Sequence, residues 1–314
     1  MTPPDAPGRF LRVDAAVLHT LIEGEGEGEG EGPPVVLSAG LAMAWFDWDE
    51  VAALLVAAGR TVIRFDRPGH GLSAPATAPP TAAGEARRIA GLLDALGVTE
   101  PVTVVGHSLA GFHAEAFARL HPERTAALVL VDSSVEEAAP RRLLPAALRT
   151  GAARALGRAL TAAGLPAALG PVARRAAVRA SRAGNREGAA DPAARDLVRR
   201  CYRTGRVWQG ILLENSRYPD TAAELLALRA AHPLRAPATV LAAYDGGHGR
   251  AARRWLARQA ALAGRLGARF EVAGPAGHLV MLDRPHQLAR AVRYATAPLP
   301  PGRPLTGAAR PPAA

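Results

Sequence analysis

A serine in a sharp turn is the first feature of this sequence that could carry chemistry. Four β-prone residues, Val102 to Val105, run directly into Gly106-His-Ser-Leu-Ala-Gly111, and a helix-like run, residues 112–120, follows. A serine held between a strand and a helix in this way is exposed as a nucleophile at the top of a parallel sheet. Small neighbours suit so tight a turn. We therefore interpret Ser108 as a nucleophile, and Ala110, where the usual Gly-x-Ser-x-Gly pattern has glycine, as a tolerated variant.

A serine hydroxyl is a weak nucleophile, so the sequence must also supply a base and an acid that orients the base. His278 is the candidate base, in a Gly-His context ahead of a segment that ends at Pro285. Two aspartates are candidate acids, because Asp132 follows one strand-like run and Asp245 follows another. With either acid the order along the chain is Ser, Asp, His, and the chemistry would be acyl transfer through a covalent acyl-serine.

Strands and helices alternate along most of the chain, which predicts an α/β fold with a doubly wound, mostly parallel, eight-stranded sheet. Ligands of such sheets bind beyond the carboxyl ends of the strands. Residues 38–41, 66–73 and 107–109 and Asp132 all follow predicted strands, so they should converge on one edge of the sheet. The predicted strands cover residues 9–13, 16–22, 35–37, 60–65, 102–105, 126–131, 238–242 and 268–272.

The strand signal disappears between residues 135 and 232, where Ala/Leu/Arg-rich helices are expected. This pattern predicts a helical cap inserted after the sixth strand, which divides the core into residues 1–134 and 233–297. Alternating Glu and Gly at residues 23–32 predict a flexible surface loop, and the Pro/Gly/Ala-rich residues 298–314 a disordered tail. Breaks between the cap helices are expected at six prolines: Pro140, Pro145, Pro166, Pro171, Pro192 and Pro219.

Four segments together resemble the α/β-hydrolase fold superfamily with a serine nucleophile and a helical cap. A narrower likeness, in residues 40–48 and 131–134, is to a bacterial subgroup described only as "alpha/beta hydrolase", whose substrates are mostly undefined. The resemblance covers residues 9–294 and implies the fold far more than the substrate. The four segments are Asp66-Arg-Pro-Gly-His-Gly-Leu-Ser73, Gly106-His-Ser-Leu-Ala-Gly111, Ala127-Leu-Val-Leu-Val-Asp-Ser-Ser134 and Ala276-Gly-His-Leu-Val-Met-Leu-Asp-Arg-Pro285.

By this resemblance Ser108 is the nucleophile and His278 the base. Most of the superfamily has its acid after the strand that precedes Asp245, so Asp245 is the favoured acid, although Ala242 stands at the usual glycine position. Asp132 is the alternative, because certain haloalkane dehalogenases have their acid after the sixth strand.

The resemblance implies an oxyanion hole made by the backbone N–H groups of Leu109 and Leu41. A serine rather than an aspartate nucleophile favours hydrolysis of a small or medium carboxylic ester, or of a thioester, lactone or amide, with no metal or other cofactor. One alternative is a cofactor-free haloperoxidase or perhydrolase on the same triad, and another is a non-catalytic member of the fold that binds a small ligand. Five large side chains could line the pocket or belong to the core: Met43, Trp45, Phe46, Trp48 and Trp208.

The formal net charge is +10, and all 38 basic residues are arginine. Residues 135–210 contain 15 Arg and 5 Asp or Glu, so this segment alone carries +10. We expect a solvated helical face there; the alternative is contact with an anionic membrane surface or an acidic substrate. No recognition module accompanies the charge, so no nucleic-acid partner is expected.

The sequence also bears on the compartment and the partners of the protein. It contains one cysteine, Cys201, and shows neither a secretory signal nor an apolar run long enough to span a bilayer. We therefore expect a cytoplasmic protein with a small-molecule acyl substrate. The oligomeric state is left open.

Overall fold

The computed structural model of the protein describes residues 7–24, 32–183, 190–247 and 249–297. Eight strands form one sheet in the order β1-β2-β4-β3-β5-β6-β7-β8. The β1–β2 and β2–β4 pairs are antiparallel and all the others are parallel, so the predicted fold class is confirmed. The strands are β1 (Arg9–Val13), β2 (Ala16–Glu23), β3 (Val35–Ser38), β4 (Val62–Phe65), β5 (Val102–His107), β6 (Thr125–Val131), β7 (Ala238–Ala243) and β8 (Arg269–Ala273).

Helices cover both faces of this sheet, and four of them, α4 to α7, lie between β6 and β7 as the predicted cap helices. No helix among the described residues is long and apolar enough to cross a membrane. The helices are α1 (Asp49–Val56), α2 (Ala82–Leu96), α3 (Ala110–Leu120), α4 (Ala146–Ala162), α5 (Leu165–Ser181), α6 (Arg195–Tyr202), α7 (Gly205–Ala231), α8 (Arg250–Leu266), α9 (Val280–Asp283) and α10 (Pro285–Arg293), with short 3-10 turns at Trp45–Trp48 and Pro122–Arg124.

The apolar core has two layers, because successive strand residues point to opposite faces of the sheet. Val104 packs with the layer under α2, α3 and α8, whereas Val105 packs with the layer under α1 and α10. All six residues of β5 are buried. Burial on both faces explains why the central strands read as continuous apolar runs rather than alternating ones.

Two sequence predictions fall mainly outside the described residues. Of the expected flexible loop at 23–32, residues 25–31 are outside them, while Glu23 belongs to β2 and its carboxylate accepts a hydrogen bond from Arg64 Nε at 2.9 Å. The expected disordered tail, residues 298–314, also lies outside the described part of the chain.

The expected helix breaks at Pro171 and Pro219 are wrong, because both prolines lie inside helices. A proline removes one intrahelical hydrogen bond and costs about 3 kcal/mol, which tertiary contacts can offset. Helix α7 is held on both sides of Pro219. On the C-terminal side Glu224 accepts from the first backbone N–H groups of α2 at 2.7 and 3.1 Å, and Arg229 lies 2.7 Å from the buried carboxylate of Glu115.

On the N-terminal side, α7 packs directly on the turn that follows β4. Arg206 donates to the carbonyl oxygens of Gly71, at 2.8 Å, and of Ser73. One helical turn later, a Cβ at Gly210 would lie only 2.4 Å from the carbonyl oxygen of Gly69, so glycine allows the two backbones to approach this closely. A cap helix is thereby fixed to the edge of the sheet.

The contact at Gly210 predicts opposite effects for two helical glycine-to-alanine substitutions. Gly210→Ala should destabilise the protein by about 1–3 kcal/mol, because the new methyl group would collide with backbone. Gly264→Ala, in α8, meets no atom within 4 Å and should stabilise the protein by about 0.5–1 kcal/mol through helix propensity. Urea unfolding of both variants measures the difference, and equal effects of the same sign would contradict the close contact.

Candidate active site

Ser108 lies in a strained turn between β5 and α3. Its φ is 53°, in the left-handed region that costs a non-glycine residue roughly 1–2 kcal/mol. The turn is tight enough that a Cβ at Gly106 would lie 2.5 Å from the carbonyl oxygen of Ala110, and one at Gly111 would lie 2.0 Å from Ser133 Oγ. The small residues of the motif are thus required by contacts on both sides of the serine.

The structure brings Ser108 and His278 together from positions 170 residues apart. His278 Nε2 lies 3.0 Å from Ser108 Oγ, and its Nδ1 lies 2.6 Å from Asp132 Oδ2. Because an ionised carboxylate only accepts, Nδ1–H donates to Asp132 and Nε2 is left to accept from the serine hydroxyl. The histidine side chain is 41% exposed, so a substrate can reach it.

Asp132 is buried, and two hydrogen bonds hold its carboxylate on the side that faces away from His278. Its Oδ1 accepts from the backbone N–H of Ala243, at 3.0 Å, and from Trp255 Nε1, at 2.7 Å. Asp132 also has a positive φ of 39°, at the end of β6. Both carboxylate oxygens are therefore occupied, one by His278 and one by groups from β7 and α8.

His278 contacts Asp132, the alternative acid, and not Asp245, the acid favoured from the sequence. Asp245 is exposed, and its carboxylate accepts from the nearby backbone N–H of Gly247 at 2.8 Å instead of approaching the imidazole. Both aspartates follow parallel strands. They differ in burial, because Asp132 turns inward beneath α8 while Asp245 turns toward solvent.

His107, next to the serine, supports the histidine loop. Its Nε2–H donates to the carbonyl oxygen of His278 at 2.9 Å, and the two rings lie 4.6 Å apart. Burial, helped by the neighbouring His278, lowers the pKa of His107 well below its ordinary value, so the ring is neutral. On its other side a Cβ at Gly40 would lie 2.6 Å from Nδ1, so the loop after β3 packs directly against this ring.

The two backbone N–H groups expected to form an oxyanion hole, those of Leu41 and Leu109, have no hydrogen-bond partner within the described ranges. Leu41 lies in the loop after β3, and Arg67 holds that loop from the other side. The Arg67 guanidinium donates to the carbonyl oxygens of Ala39 and, at 3.3 Å, of Gly40. Each peptide group is planar, so hydrogen bonds to these two carbonyl oxygens also fix the orientation of the N–H groups of Gly40 and Leu41.

Glu214 of α7 is the charge partner of Arg67. Its two carboxylate oxygens lie 2.8 and 2.9 Å from Arg67 Nε and Nη2, and both side chains are buried. Burial alone would raise the pKa of Glu214, but the charges and hydrogen bonds of Arg67 and His70 together outweigh burial and hold that pKa well below its ordinary value. A cap helix is therefore ion-paired to the residue that holds the loop after β3.

An apolar cavity of about 390 Å³ opens beside Ser108. Of the five large side chains named as pocket candidates, Met43 and Trp208 line it, whereas Trp45, Phe46 and Trp48 are buried in core clusters. The cap supplies much of the wall. The residues lining the cavity are Leu41, Ala42, Met43, His107, Ser108, Gly170, Ala173, Arg174, Ala177, Val178, Ser181, Tyr202, Trp208, Ile211, Leu212, His278 and Leu279.

Sequence reasoning did not identify Arg67, Glu214, Arg174 or Trp255 as site residues. Arg67 lies within the quoted 66–73 segment, so its position at a strand end was the available signal. The sequence around Glu214, Arg174 and Trp255 contains no motif that marks them as site residues. Their partners lie at least 100 residues away in the sequence or in a different element.

Residues 35–291 match a protein family described as the alpha/beta hydrolase family. A curated enzyme of Dechloromonas aromatica (strain RCB), 2-hydroxy-6-oxononadienedioate/2-hydroxy-6-oxononatrienedioate hydrolase 1, is 36% identical over 91 residues. That stretch is 29% of this chain and 31% of that enzyme, so the match spans less than a third of the curated relative.

Solved structures resemble the protein over nearly its whole length. A thermophilic esterase from Thermogutta terrifontis has a TM-score of 0.66 at 22% identity, over 92% of this chain and 97% of that one. An enol-lactonase from Burkholderia xenovorans LB400 has a TM-score of 0.59 at 23% identity, over 90% and 98% of the two chains. At such identities the likeness concerns the fold.

A buried histidine below the site, His113 on α3, makes stability depend on pH. Neither of its ring nitrogens has a hydrogen-bond partner within the described residues, and burial, helped by the charge of Arg67, lowers its pKa to about 4. In the unfolded chain the pKa returns to about 6.5. The unfolded state therefore binds more protons between these two pH values, and stability falls as the pH decreases.

We expect this histidine to lower the free energy of unfolding by about 3 kcal/mol between pH 7 and pH 4. The pKa values of about 6.5 and about 4 differ by about 2.5, and each pKa unit corresponds to about 1.4 kcal/mol. Urea unfolding as a function of pH measures it. His113→Asn should flatten the profile over that window, while His286→Asn, at an exposed position, should leave the profile unchanged. A profile that is no flatter in His113→Asn would contradict the lowered pKa.

Proposed function

The chain belongs to the alpha/beta hydrolase family, and we propose that it is a serine hydrolase that cleaves carboxylic esters or related acyl compounds through an acyl-enzyme. The observation that carries the proposal is the continuous chain of hydrogen bonds from Ser108 Oγ through His278 to Asp132. Its distances of 3.0 and 2.6 Å lie within the range over which a base activates a serine.

In the first half-reaction Ser108 Oγ bonds to the acyl carbon while its proton moves to His278 Nε2. The carbonyl oxygen becomes an oxyanion, which accepts from the free N–H groups of Leu41 and Leu109. Asp132 stabilises the resulting imidazolium through Nδ1–H without taking its proton. The bond to the leaving group then breaks, and the proton on Nε2 passes to that group.

In the second half-reaction water replaces the leaving group. His278 Nε2 removes a proton from water as the oxygen attacks the acyl carbon, and the second oxyanion forms at the same two N–H groups. Collapse breaks the bond to Ser108 Oγ, which regains its proton from His278. The carboxylic acid leaves, and the enzyme returns to its starting protonation state without any external reagent except water.

We expect Ser108→Ala to lower turnover of short p-nitrophenyl esters by roughly 10⁴-fold or more, because it removes the nucleophile. A fluorophosphonate probe should label the wild type and fail to label this variant. Ser181→Ala removes the other serine of the cavity wall and should still be labelled. Surviving turnover in a folded Ser108→Ala protein would refute the acyl-serine mechanism.

The acid is tested by two matched substitutions. Asp132→Asn should lower kcat by about 10³–10⁴-fold, because an amide no longer selects the Nδ1–H tautomer or stabilises the imidazolium. Asp245→Asn should change kcat less than about twofold, since exposed groups away from the reacting atoms have little effect. A larger loss in Asp245→Asn than in Asp132→Asn would reverse the assignment.

The cavity further supports an uncharged, apolar acyl group as the substrate. Most of its wall is aliphatic or aromatic, and two of its polar side chains are hydrogen-bonded within the protein. The Tyr202 hydroxyl donates to the carbonyl oxygen of Ala42 at 2.7 Å, and the His107 Nε2–H is used by His278. These two donors are therefore not available to solvate a charged substrate group inside the cavity.

Among the described residues, Arg174 is the one cationic side chain that lines the cavity, and two carboxylates pair with it. Its guanidinium is bound to Asp47 and lies 3.2 Å from Asp191 Oδ2, and it also lies over the rings of Phe46 and Tyr202. Within the part of the cavity wall that the structure describes, no unpaired positive charge remains for a substrate carboxylate. The dioate in the name of the curated relative is therefore not the substrate class we propose for this chain.

A pair of esters of equal chain length tests this selectivity. p-Nitrophenyl octanoate should have a kcat/KM at least about 100-fold above that of the octanedioic half-ester, since an unpaired carboxylate loses several kcal/mol of solvation on burial. Asp191→Asn frees one side of Arg174 and should narrow that ratio. Equal values for the two esters in the wild type would exclude an uncharged acyl group as the preferred substrate.

A further inference from the structure

The outermost cap helices, α4 and α5, expose an unusual amount of apolar surface. Nine large apolar side chains are exposed in the described residues, and six of them lie between residues 143 and 172. Single exposed leucines are ordinary, but six large apolar side chains on two helices that contact each other, and on the segment leading into them, indicate an interaction site. The six are Leu143 (94% exposed), Leu144 (53%), Leu148 (59%), Leu156 (49%), Leu169 (50%) and Val172 (66%).

On α4 these residues follow the helical repeat on the side turned away from the protein. Thr150, Ala153 and Gly157 are buried and form the inner face, which packs against α7. The outward positions are apolar as well: Leu148, Ala152, Ala155 and Ala159. A helix that contacts only solvent on its outer face would carry polar residues there.

The charge around this surface has one sign. Residues 138–183 contain nine arginines and no aspartate or glutamate. Some of these arginines pair with acids elsewhere, but Arg154, Arg158 and Arg175 have no carboxylate partner within the described part of the chain. Arg154 and Arg158 are four residues apart, so they form a row along α4 beside the apolar positions.

We propose that α4 and α5, with the approach at residues 143–145, form a docking surface for an anionic phospholipid bilayer. The leucines would enter the headgroup region while the arginines reach lipid phosphates, the arrangement of helices that lie in a membrane interface. A second copy of the chain is a poor fit, because a symmetric contact would bring the same positive surface against itself.

The surface is connected to the candidate active site. Helix α5 exposes Leu169 and Val172 to the outside, while Ala173 and Ala177 of the same helix are exposed and also line the cavity. A bilayer bound there would lie next to the cavity wall, so an apolar acyl compound could pass from lipid to Ser108. This delivery rests on the proposed function, but the docking does not, because it involves no chemistry at the serine.

Flotation of the full-length Ser108→Ala protein tests the docking without turnover. The protein should float with vesicles that contain phosphatidylglycerol, should not float with phosphatidylcholine alone, and should be released by salt. Arg154→Gln with Arg158→Gln should weaken binding more than tenfold, at about fivefold for each arginine. Leu148→Ser with Leu156→Ser, both at exposed positions, should weaken it similarly.

Matched controls distinguish binding through this surface from binding that depends only on net charge or on any exposed apolar side chain. Arg253→Gln with Arg254→Gln removes two exposed charges from α8, and Val272→Ser removes an exposed apolar side chain from β8; both should bind like the parent. Equal loss in the α8 variant, or no flotation at all, would overturn the proposal. So would a dimer in sedimentation that the Leu148/Leu156 variant abolishes, because a second copy would then cover the surface.

Discussion

The buried ion pair between Arg67 and Glu214 is the contact on which the arrangement of the site depends. Two charges withdrawn from water are tolerated only when each is paired and hydrogen-bonded, so neither side chain can move without the other. Because the same guanidinium grips the carbonyls of Ala39 and Gly40, the cap and the loop after β3 share one anchor. Removing Glu214 would leave the charge of Arg67 buried without its carboxylate partner.

Around that anchor, the carboxyl ends of parallel strands supply the remaining groups. Ser108 follows β5, Asp132 follows β6 and the loop with Leu41 follows β3, so neighbouring strands bring distant parts of the chain within hydrogen-bond distance. The strained backbone at Ser108 and Asp132 is held in place by the packing of both sheet faces. Precise geometry at the edge therefore derives from burial in the core.

Local patterns were sufficient to predict the sheet and the helices between β6 and β7, and short motifs singled out Ser108 and His278 as candidate site residues. The aspartate that contacts His278 could not be chosen that way. Asp132 and Asp245 both follow strands, and what separates them is Trp255 and the Ala243 N–H, which reach Asp132 from more than 100 residues away. The prolines inside α5 and α7 show the same limit, since long-range contacts outweighed a local preference.

Helix α7 also bears on how such a protein can evolve. Its first turns pack on the loop between β4 and α2 through Arg206 and Gly210, and its last turns pair with Glu115 beneath the sheet edge. One continuous helix therefore belongs both to the cap and to the core. The cap helices therefore cannot be replaced independently of the core. Cap helices transferred from a relative would also require that relative's version of the 66–73 turn and of Glu115, the partner of Arg229. New specificities are more accessible through substitutions on α5, which lines the cavity and packs less than α7 against the helices of the core.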